Sequence, residues 1–412
     1  MRLLHRLLEI LVPARLGRDF RWLLSATLVD SAGDGVSVAA GPVLVASLTR
    51  DPFLVSLALL TQYLPTFLFG VVTGAIADRV DRKTMVVVVN LGRALVLAVL
   101  VATIVTGAVN IAIVLVALFV LGTAENFADS ASSTLTPTLV PRADLGIANA
   151  RMQGAFVLLA QLLLPPVGAF LFVVGPAIPF AANAVAFILA VTLISRIRAS
   201  TRPERGEHRT TFVADMADGI RWLIGHPPMR TLALTILTFN ITYGAAWGVL
   251  VLYAGERLHM DAVGFGLITT AIAIGGLAGT LSFGALERRF SFANIMRVGL
   301  TIEALTHLVL AVTTNPVVAL GILTVFGAHA FVWGTISSTV RQRAVPNELL
   351  GRVGGVYRVA LMGGLVIGTP IGGLLARTYG ITAPFWFGFV GSALLVIVLW
   401  REFANIAHAG EA

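Results

Sequence analysis

Read as a string of oily and polar positions, the chain falls into twelve apolar stretches that recur from end to end. They cover 22–46, 54–77, 84–106, 110–133, 149–173, 177–195, 230–253, 263–285, 293–313, 316–339, 354–376 and 383–401. About 20 apolar residues, rising ~1.5 Å each, carry a helix across a hydrocarbon core of ~30 Å. The pattern therefore predicts an all-α membrane protein with twelve transmembrane helices. Glycine and proline are spread through these stretches. In lipid, small residues let helices approach and bend, so bent and closely packed spans are expected rather than a rigid oily plug.

The longest polar interruption, 196–229, divides the spans six and six. It predicts a first bundle over 1–195 with a cytoplasmic N-terminal segment, a cytoplasmic linker over 196–229, and a second bundle over 230–412. Within the interruption, RIRASTRPERGEHR reads as flexible linker. FVADMADGIRWLIGH places Val213, Met216, Ile220 and Leu223 on one helical face, with Asp215, Asp218 and Arg221 off it. That suits a helix lying on the membrane surface, although simple tethering explains it too. The halves also resemble each other 205 positions apart, SSTLTPTLVPRADL from Ser132 against SSTVRQRAVPNELL from Ser337. Pro141 maps onto Pro346, Leu145 onto Leu350, Pro165 onto Pro370 and Gly168 onto Gly373. This reads as an internal duplication, hence two pseudo-symmetric six-helix bundles; parallel repeats with a midplane site between them are one architecture of rocking transporters.

Composition agrees with the pattern. Hydrophobic residues make up 57% of the chain and charged ones 12%, against about 25% charged in soluble domains. A net charge of +8 raises nucleic acid as a partner, but the distribution of the bases argues against it. With the N-terminus inside, every Lys and Arg except Arg50, Arg93, Arg257 and Arg377 falls in cytoplasmic segments or at their edges, as the positive-inside rule requires. Both termini are then cytoplasmic, and the bases face anionic lipid headgroups, each contributing about 1 kcal/mol near the surface. The absence of cysteine removes disulfides and thiol chemistry and leaves the redox compartment undetermined. MRLLHRLLEILVPARLGRDF has an apolar run without a small-residue cleavage site, which predicts an uncleaved segment or an interfacial helix. Arginine outnumbers lysine 28 to one, a sign of a GC-rich bacterial genome, so a bacterial cytoplasmic membrane is the expected location.

Between spans two and three lies GAIADRVDRK, two acids and three bases between oily runs. Gly74 lets another helix approach. Asp78 ends span two, where it can accept from donors at a helix N-terminus and pair with Arg82. At Gly74, Asp78, Arg79, Arg82 and Lys83 the stretch fits G-x-x-x-D-R-x-x-R-K and resembles the signature of the major facilitator superfamily. GDGVSVAAGPVLVASLTRDP, LGTAENFADSASSTLTPTLVP, DGIRWLIGHPPMR and RQRAVPNELLGRV are similar to the drug:proton antiporter branch containing macrolide efflux pumps and enterobactin exporters, and the resemblance covers nearly the whole chain. It implies the major facilitator fold and a latch in this loop that holds the cytoplasmic side closed against the second half. A topogenic charge cluster is the plainer reading. The corresponding FGALERRFSF has Glu287, Arg288 and Arg289 without the downstream pair, so the latch is expected to be asymmetric. The antiporter G-P-x-x-G-G pattern is broken in span five, Leu164-Pro-Pro-Val-Gly-Ala169, and clearer in span eleven, Gly368-Thr-Pro-Ile-Gly-Gly373. Both read as bend and packing elements.

Ionisable residues inside spans cost about 2.5–3.5 kcal/mol each on insertion scales and are functional candidates by default. Here they are Asp30, Asp34, Arg93, Glu125, Asp129, Glu303, His307 and His329. Asp30 and Asp34 are four apart and share a face of span one. Two close carboxylates resist ionising together, so they are proton-coupling candidates with Glu125; Asp30 binding backbone exposed by Gly33 and Gly35 is the alternative. Arg93 and Glu125 sit at similar depth in spans three and four, which predicts an ion pair of structural character; Glu125 also could attract cations. Asp129 lies nearer the cytoplasm. Glu303 and His307, four apart on span nine, predict a packed pair, since the resemblance puts span nine at the periphery. By the same resemblance His329 and Trp333 of span ten line the substrate cavity, facing Phe239, Asn240, Tyr243 and Trp247 of span seven, an aromatic wall with few polar contacts.

No phosphate-binding G-x-x-x-x-G-K-[ST] and no metalloprotease histidine spacing occurs in the sequence, so an ATP-driven pump or enzyme is not expected, nor any cofactor or metal. The reading is a monomeric secondary transporter that exports an amphipathic small molecule, such as a drug, macrolide or siderophore, in exchange for protons by alternating access. The alternatives are a lysophospholipid flippase or importer on the same fold, or a non-transporting membrane receptor.

Overall fold

The computed structural model describes residues 16–77, 80–199 and 212–409. Every regular element among them is a helix. Eleven spans run Arg18–Leu48, Pro52–Ala77, Arg82–Val105, Ile111–Leu139, Arg142–Val174, Ile178–Ser195, the pair Pro227–Trp247 and Leu250–Glu256, Ala262–Arg289, Phe292–Val312, Pro316–Ala344 and Leu350–Tyr379. The shorter apolar helix Ala383–Leu399 stands where the twelfth was expected. The N-terminal segment before residue 16, Asp78, Arg79 and most of the linker lie outside the described residues.

Span starts are written into the sequence as caps. Asp81, Asn110, Asp261, Ser291 and Asn315 stand immediately before spans three, four, eight, nine and ten, and each side chain accepts a backbone N–H of the first turn. Those donors have no partner within the helix, so a short polar side chain there fixes the start. Span seven departs from the continuous helix expected: it bends by 41° at Gly248–Val249. Gly248 lies against Ser56 and Thr369, so close approach rather than proline sets the break. Span five contains a π-helical stretch, Phe156–Leu163, ending where Leu164 N donates to Leu159 O just before Pro165 and Pro166. Proline supplies no N–H and disrupts the regular ladder, and the widened turn precedes it.

The helices gather into two compact units, residues 1–48 with 68–206, and residues 49–67 with 207–412. The division at 206/207 falls inside the expected linker; the opening part of span two, however, groups with the second unit. There Phe53 and Ser56 lie against Gly373, Phe67 against Gly363, and Asp51 Oδ2 is 3.7 Å from Arg377 Nε.

In the first unit span one packs on spans five and six, and span three on spans four and six. Span five closes on span one through Gly168, whose missing side chain leaves room for the Val36 main chain. A core of Phe20, Leu23, Met85, Leu135, Ile194 and Ile197 fills one end. At that end polar bonds join four spans. Asp19 Oδ2 accepts the N–H groups of Arg198 and Ala199 at 3.2 and 2.8 Å. Lys83 Nζ donates to Ser195 O and Ile197 O at 2.9 and 2.7 Å. Arg82 Nη1 donates to Thr138 Oγ1 at 2.8 Å and Thr134 O at 3.3 Å.

In the second unit span eleven packs on span seven, the counterpart of five on one, and spans eight and ten pair closely. Gly368 and Gly372 admit the main chain at Ile241 and Ala245. The helix Phe212–Gly225 docks on span eleven: Asp218 takes Arg352 at 3.0 Å, Gly219 lies against the Arg352 carbonyl and Met216 against Gly355. Ile220, of the apolar face, is exposed together with Ile224, while Gly219 stands at the docked face. Nothing is described for the side chains of Val213 and Asp215.

Candidate functional site

The membrane-embedded charges of the first unit form a two-rung ladder. Asp30 and Asp34 lie one turn apart on span one; Asn90 and Arg93 lie one turn apart on span three. Asn90 Nδ2 reaches Asp30 Oδ2 at 3.2 Å and Oδ1 at 3.4 Å. Arg93 Nη2 donates to Asp34 Oδ1 at 3.1 Å. Span six completes the second rung: Asn183 Nδ2 lies 3.4 Å from Asp34 Oδ1 and 2.9 Å from Ser37 Oγ. The approach of Asn183 requires Gly33, because a Cβ there would occupy the position of the Asn183 side-chain oxygen. The Arg93 guanidinium lies 4.0 Å from the Phe187 ring centroid, so it is held between a carboxylate and an aromatic face.

The expected ion pair of Arg93 with Glu125 is thereby corrected: the partner of Arg93 is Asp34. Equal depth on neighbouring spans does not place two side chains on facing sides, and span three presents Arg93 toward spans one and six. Glu125 is exposed, and with Asp129 acts on Arg93 through its field. The two members of the pair differ in access, the Arg93 side chain being 7% exposed and Asp34 33%.

Of the motif between spans two and three, Gly74 belongs to helix Pro52–Ala77, and Asp78 and Arg79 fall outside the described residues. Arg82 and Lys83 hold carbonyls at the ends of spans four and six, where cations complement the helix dipole. Asp81 caps span three, accepting Lys83 N at 3.2 Å.

In the second unit Phe239, Tyr243 and Trp247 recur every four residues along one face of span seven. Tyr243 and Trp247 stack at 4.2 Å, and Phe326 of span ten lies 5.8 and 4.9 Å from them. The His329 ring meets Phe239 and Phe326 edge-on at 6.5 and 6.2 Å. Asn240 is not on this wall: it is buried in the seam with span eleven, its Nδ2 donating to Ile236 O at 2.7 Å. His329 and Trp333 line a cavity of about 330 Å³ bounded by spans eight, nine and ten. Glu303 contacts His307 across 3.4 Å, and His329 joins from span ten at 3.7 Å, making a cluster of three where two were expected. Among the described residues no group of acidic and histidine side chains has metal-holding geometry.

Sequence reasoning missed Asn90, Asn183, Ser37 and Phe187. A signal existed for the two asparagines, each a polar residue inside an otherwise oily run, VVVVNLG and FAANAVAF. A buried amide needs a hydrogen-bond partner as a charge does.

Residues 11–408 match the family described as transmembrane secretion effector. The chain is 28% identical over 380 residues to the multidrug efflux pump Tap of Mycolicibacterium fortuitum, covering 88% of this chain and 90% of that one. It is 26% identical over 399 residues to the enterobactin exporter EntS of Citrobacter koseri, with 93% and 92% covered. Among solved structures, a variant of the nucleoside transporter NupG is similar with a TM-score of 0.77 at 12% identity, covering 94% of this chain and 100% of that one. A bacterial homologue of the iron transporter ferroportin follows at 0.76 and 18%, with 95% and 98% covered. These likenesses concern the fold.

Proposed function

The chain belongs to the transmembrane secretion effector family of major facilitator transporters, multi-pass membrane proteins and not enzymes, and from that premise we propose that it exports an amphipathic drug, macrolide or siderophore in exchange for protons. The names of its relatives, a multidrug efflux pump and an enterobactin exporter, support the direction and the class of cargo. The observation that carries proton exchange is the Asp34–Arg93 pair, an accessible carboxylate against a sealed guanidinium.

In the proposed cycle a proton on Asp34 removes the counter-charge of Arg93. A buried cation left unpaired is costly, so the guanidinium turns toward the field of Glu125 and Asp129, and span three shifts against spans one and six. Loss of the proton restores the pair. Asp30, held by Asn90, is the second carboxylate of the ladder. Cargo and proton thereby favour different arrangements of the bundle, which is what alternating access needs. The aromatic face Phe239–Tyr243–Trp247 offers apolar contact to the cargo. The motif from Gly74 to Lys83 serves as the latch, and both termini lie in the cytoplasm, a topology supported by the arginine distribution.

The test is flux in proteoliposomes under an imposed pH gradient, with macrolides, dyes and a catecholate siderophore as cargo, for the wild type and Asp34→Asn. Gradient-driven export by the wild type and its loss in the variant is the expected result. Gradient-driven flux unchanged in Asp34→Asn would remove Asp34 from coupling; flux indifferent to the gradient in the wild type would overturn exchange and favour lipid handling or facilitation.

A further inference from the structure

The second unit holds titratable groups that the proposed cycle does not use. Glu303 is fully buried at midspan between two imidazoles: its Oε1 lies 3.4 Å from His307 Nδ1 and its Oε2 lies 3.7 Å from His329 Nε2. Neither carboxylate oxygen accepts a hydrogen bond, and both are fully enclosed. His307 Nδ1 lies 3.0 Å from the Glu303 main-chain carbonyl. The elements packed around the cluster add little charge. Span seven presents Tyr243 and the Thr242 carbonyl, span ten presents His329, and span twelve presents Gly388 against the His307 ring. The ion-pair contacts of Glu303 are with the two histidines.

An ionised carboxylate beside two neutral imidazoles would be a bare negative charge in an apolar interior, which is expensive and is avoided by taking up a counter-charge or a proton. We infer that Glu303, His307 and His329 form a second proton-binding site, loaded through His329 from the cavity between spans eight, nine and ten. One shared proton brings the cluster to zero net charge, whether it sits on the carboxyl or on an imidazole beside the carboxylate.

The cavity gives this site its route. His329 Nδ1 lies over Gly299, which lines the cavity, while Nε2 points to Glu303. A neutral imidazole can accept a proton at one ring nitrogen and release one from the other, so His329 is built to pass a proton between cavity and carboxylate. The mostly apolar lining of the cavity includes the exposed polar residues Ser282 and Asn294 beside exposed Phe290 and Val298. Gly299 is necessary to this arrangement: a Cβ there would meet the His329 ring. The site's residues all belong to the second unit, whereas the Asp34 ladder belongs to the first.

Trp333 reports on the site, its ring 6.0 Å from that of His329 on the cavity wall. An imidazolium quenches a nearby indole more than a neutral imidazole does. The experiment titrates full-length protein in nanodiscs between about pH 8 and about pH 5, taking the Trp333 signal as the difference between wild type and Trp333→Phe. Trp222 stacks on His226 at 4.7 Å, so every measurement uses a His226→Gln background. The expected result is a reversible fall in Trp333 emission with acid that is lost in Glu303→Gln and in His329→Gln. A fall that persists in Glu303→Gln overturns the inference, and so does a flat response where the carbodiimide treatment below also leaves Glu303 unmodified. Because Glu303→Gln risks misfolding, wild-type protein is also treated with dicyclohexylcarbodiimide, which reacts with protonated carboxyl groups in apolar surroundings. Where the proton sits on the carboxyl, peptide mass spectrometry should find Glu303 modified, more at low pH than at high; Glu303 unmodified at every pH together with a flat Trp333 response overturns the inference without any variant.

Discussion

The Asp34–Arg93 pair makes a quantitative prediction about the first bundle. At 3.1 Å and an effective dielectric of about 20, the Coulomb attraction is about 5 kcal/mol before desolvation is charged against it. Asp34 is one-third exposed, so water screens part of that gain, and desolvation of Arg93 removes more; a net coupling of about 2 kcal/mol is expected, between exposed pairs and fully buried ones. The perturbation is a double-mutant cycle of Asp34→Ala and Arg93→Met. Asp34→Ala alone strands a buried guanidinium over Phe187 and should cost about 3 kcal/mol, whereas Arg93→Met leaves the more accessible carboxylate and should cost less. The double variant should be less destabilised than the sum by about 2 kcal/mol. The assay is reversible unfolding in mixed detergent micelles, with Glu125→Gln and Arg93→Met run as a parallel cycle that should show a smaller coupling, that of a charge acting through its field without contact. Additivity of the Asp34 cycle within about 0.5 kcal/mol would refute the pairing on which the proposed exchange depends.

Two further predictions concern packing in the second bundle. In Gly372→Ala the new Cβ would meet main-chain atoms of Ala245 rather than a side chain able to turn aside, so spans seven and eleven must separate; a loss of about 1–3 kcal/mol should appear as a lower unfolding midpoint. Tyr253 is fully buried and its hydroxyl donates to Leu310 O at 2.5 Å. Tyr253→Phe keeps the ring and removes that donor, and the same unfolding assay should read a loss of about 1–3 kcal/mol.

The spans were legible because hydrocarbon thickness dictates their length and oily composition, and their starts because capping residues are few and distinctive. What one span offers another was only partly legible. Spacing along one helix revealed that Asp30 and Asp34 share a face, and that Glu303 and His307 do. It could not reveal which neighbouring span each face meets. Arg93 was therefore matched to Glu125 by depth, when direction around the helix gave it to Asp34, and the joining of His329 to Glu303 stayed hidden until spans nine and ten were placed side by side. Asn240 shows the same limit, since one step along span seven from Phe239 turns a side chain by about 100° and out of the aromatic wall. The bend in span seven was invisible because Gly248 differs from other span glycines only in what stands against it.

The polar bonds among Asp19, Arg82, Lys83 and the backbone after span six have a mechanical consequence. They lash spans one, three, four and six together at one end like a hoop around staves, and three of their acceptors are main-chain carbonyls that no substitution removes. A bundle girdled in this way resists splaying at that end, so a force applied at the loop carrying Arg82 and Lys83 is delivered to all four helices at once. The first bundle is thus stiffened at that end, while its stretch around Asp34 and Arg93 lies outside these ties.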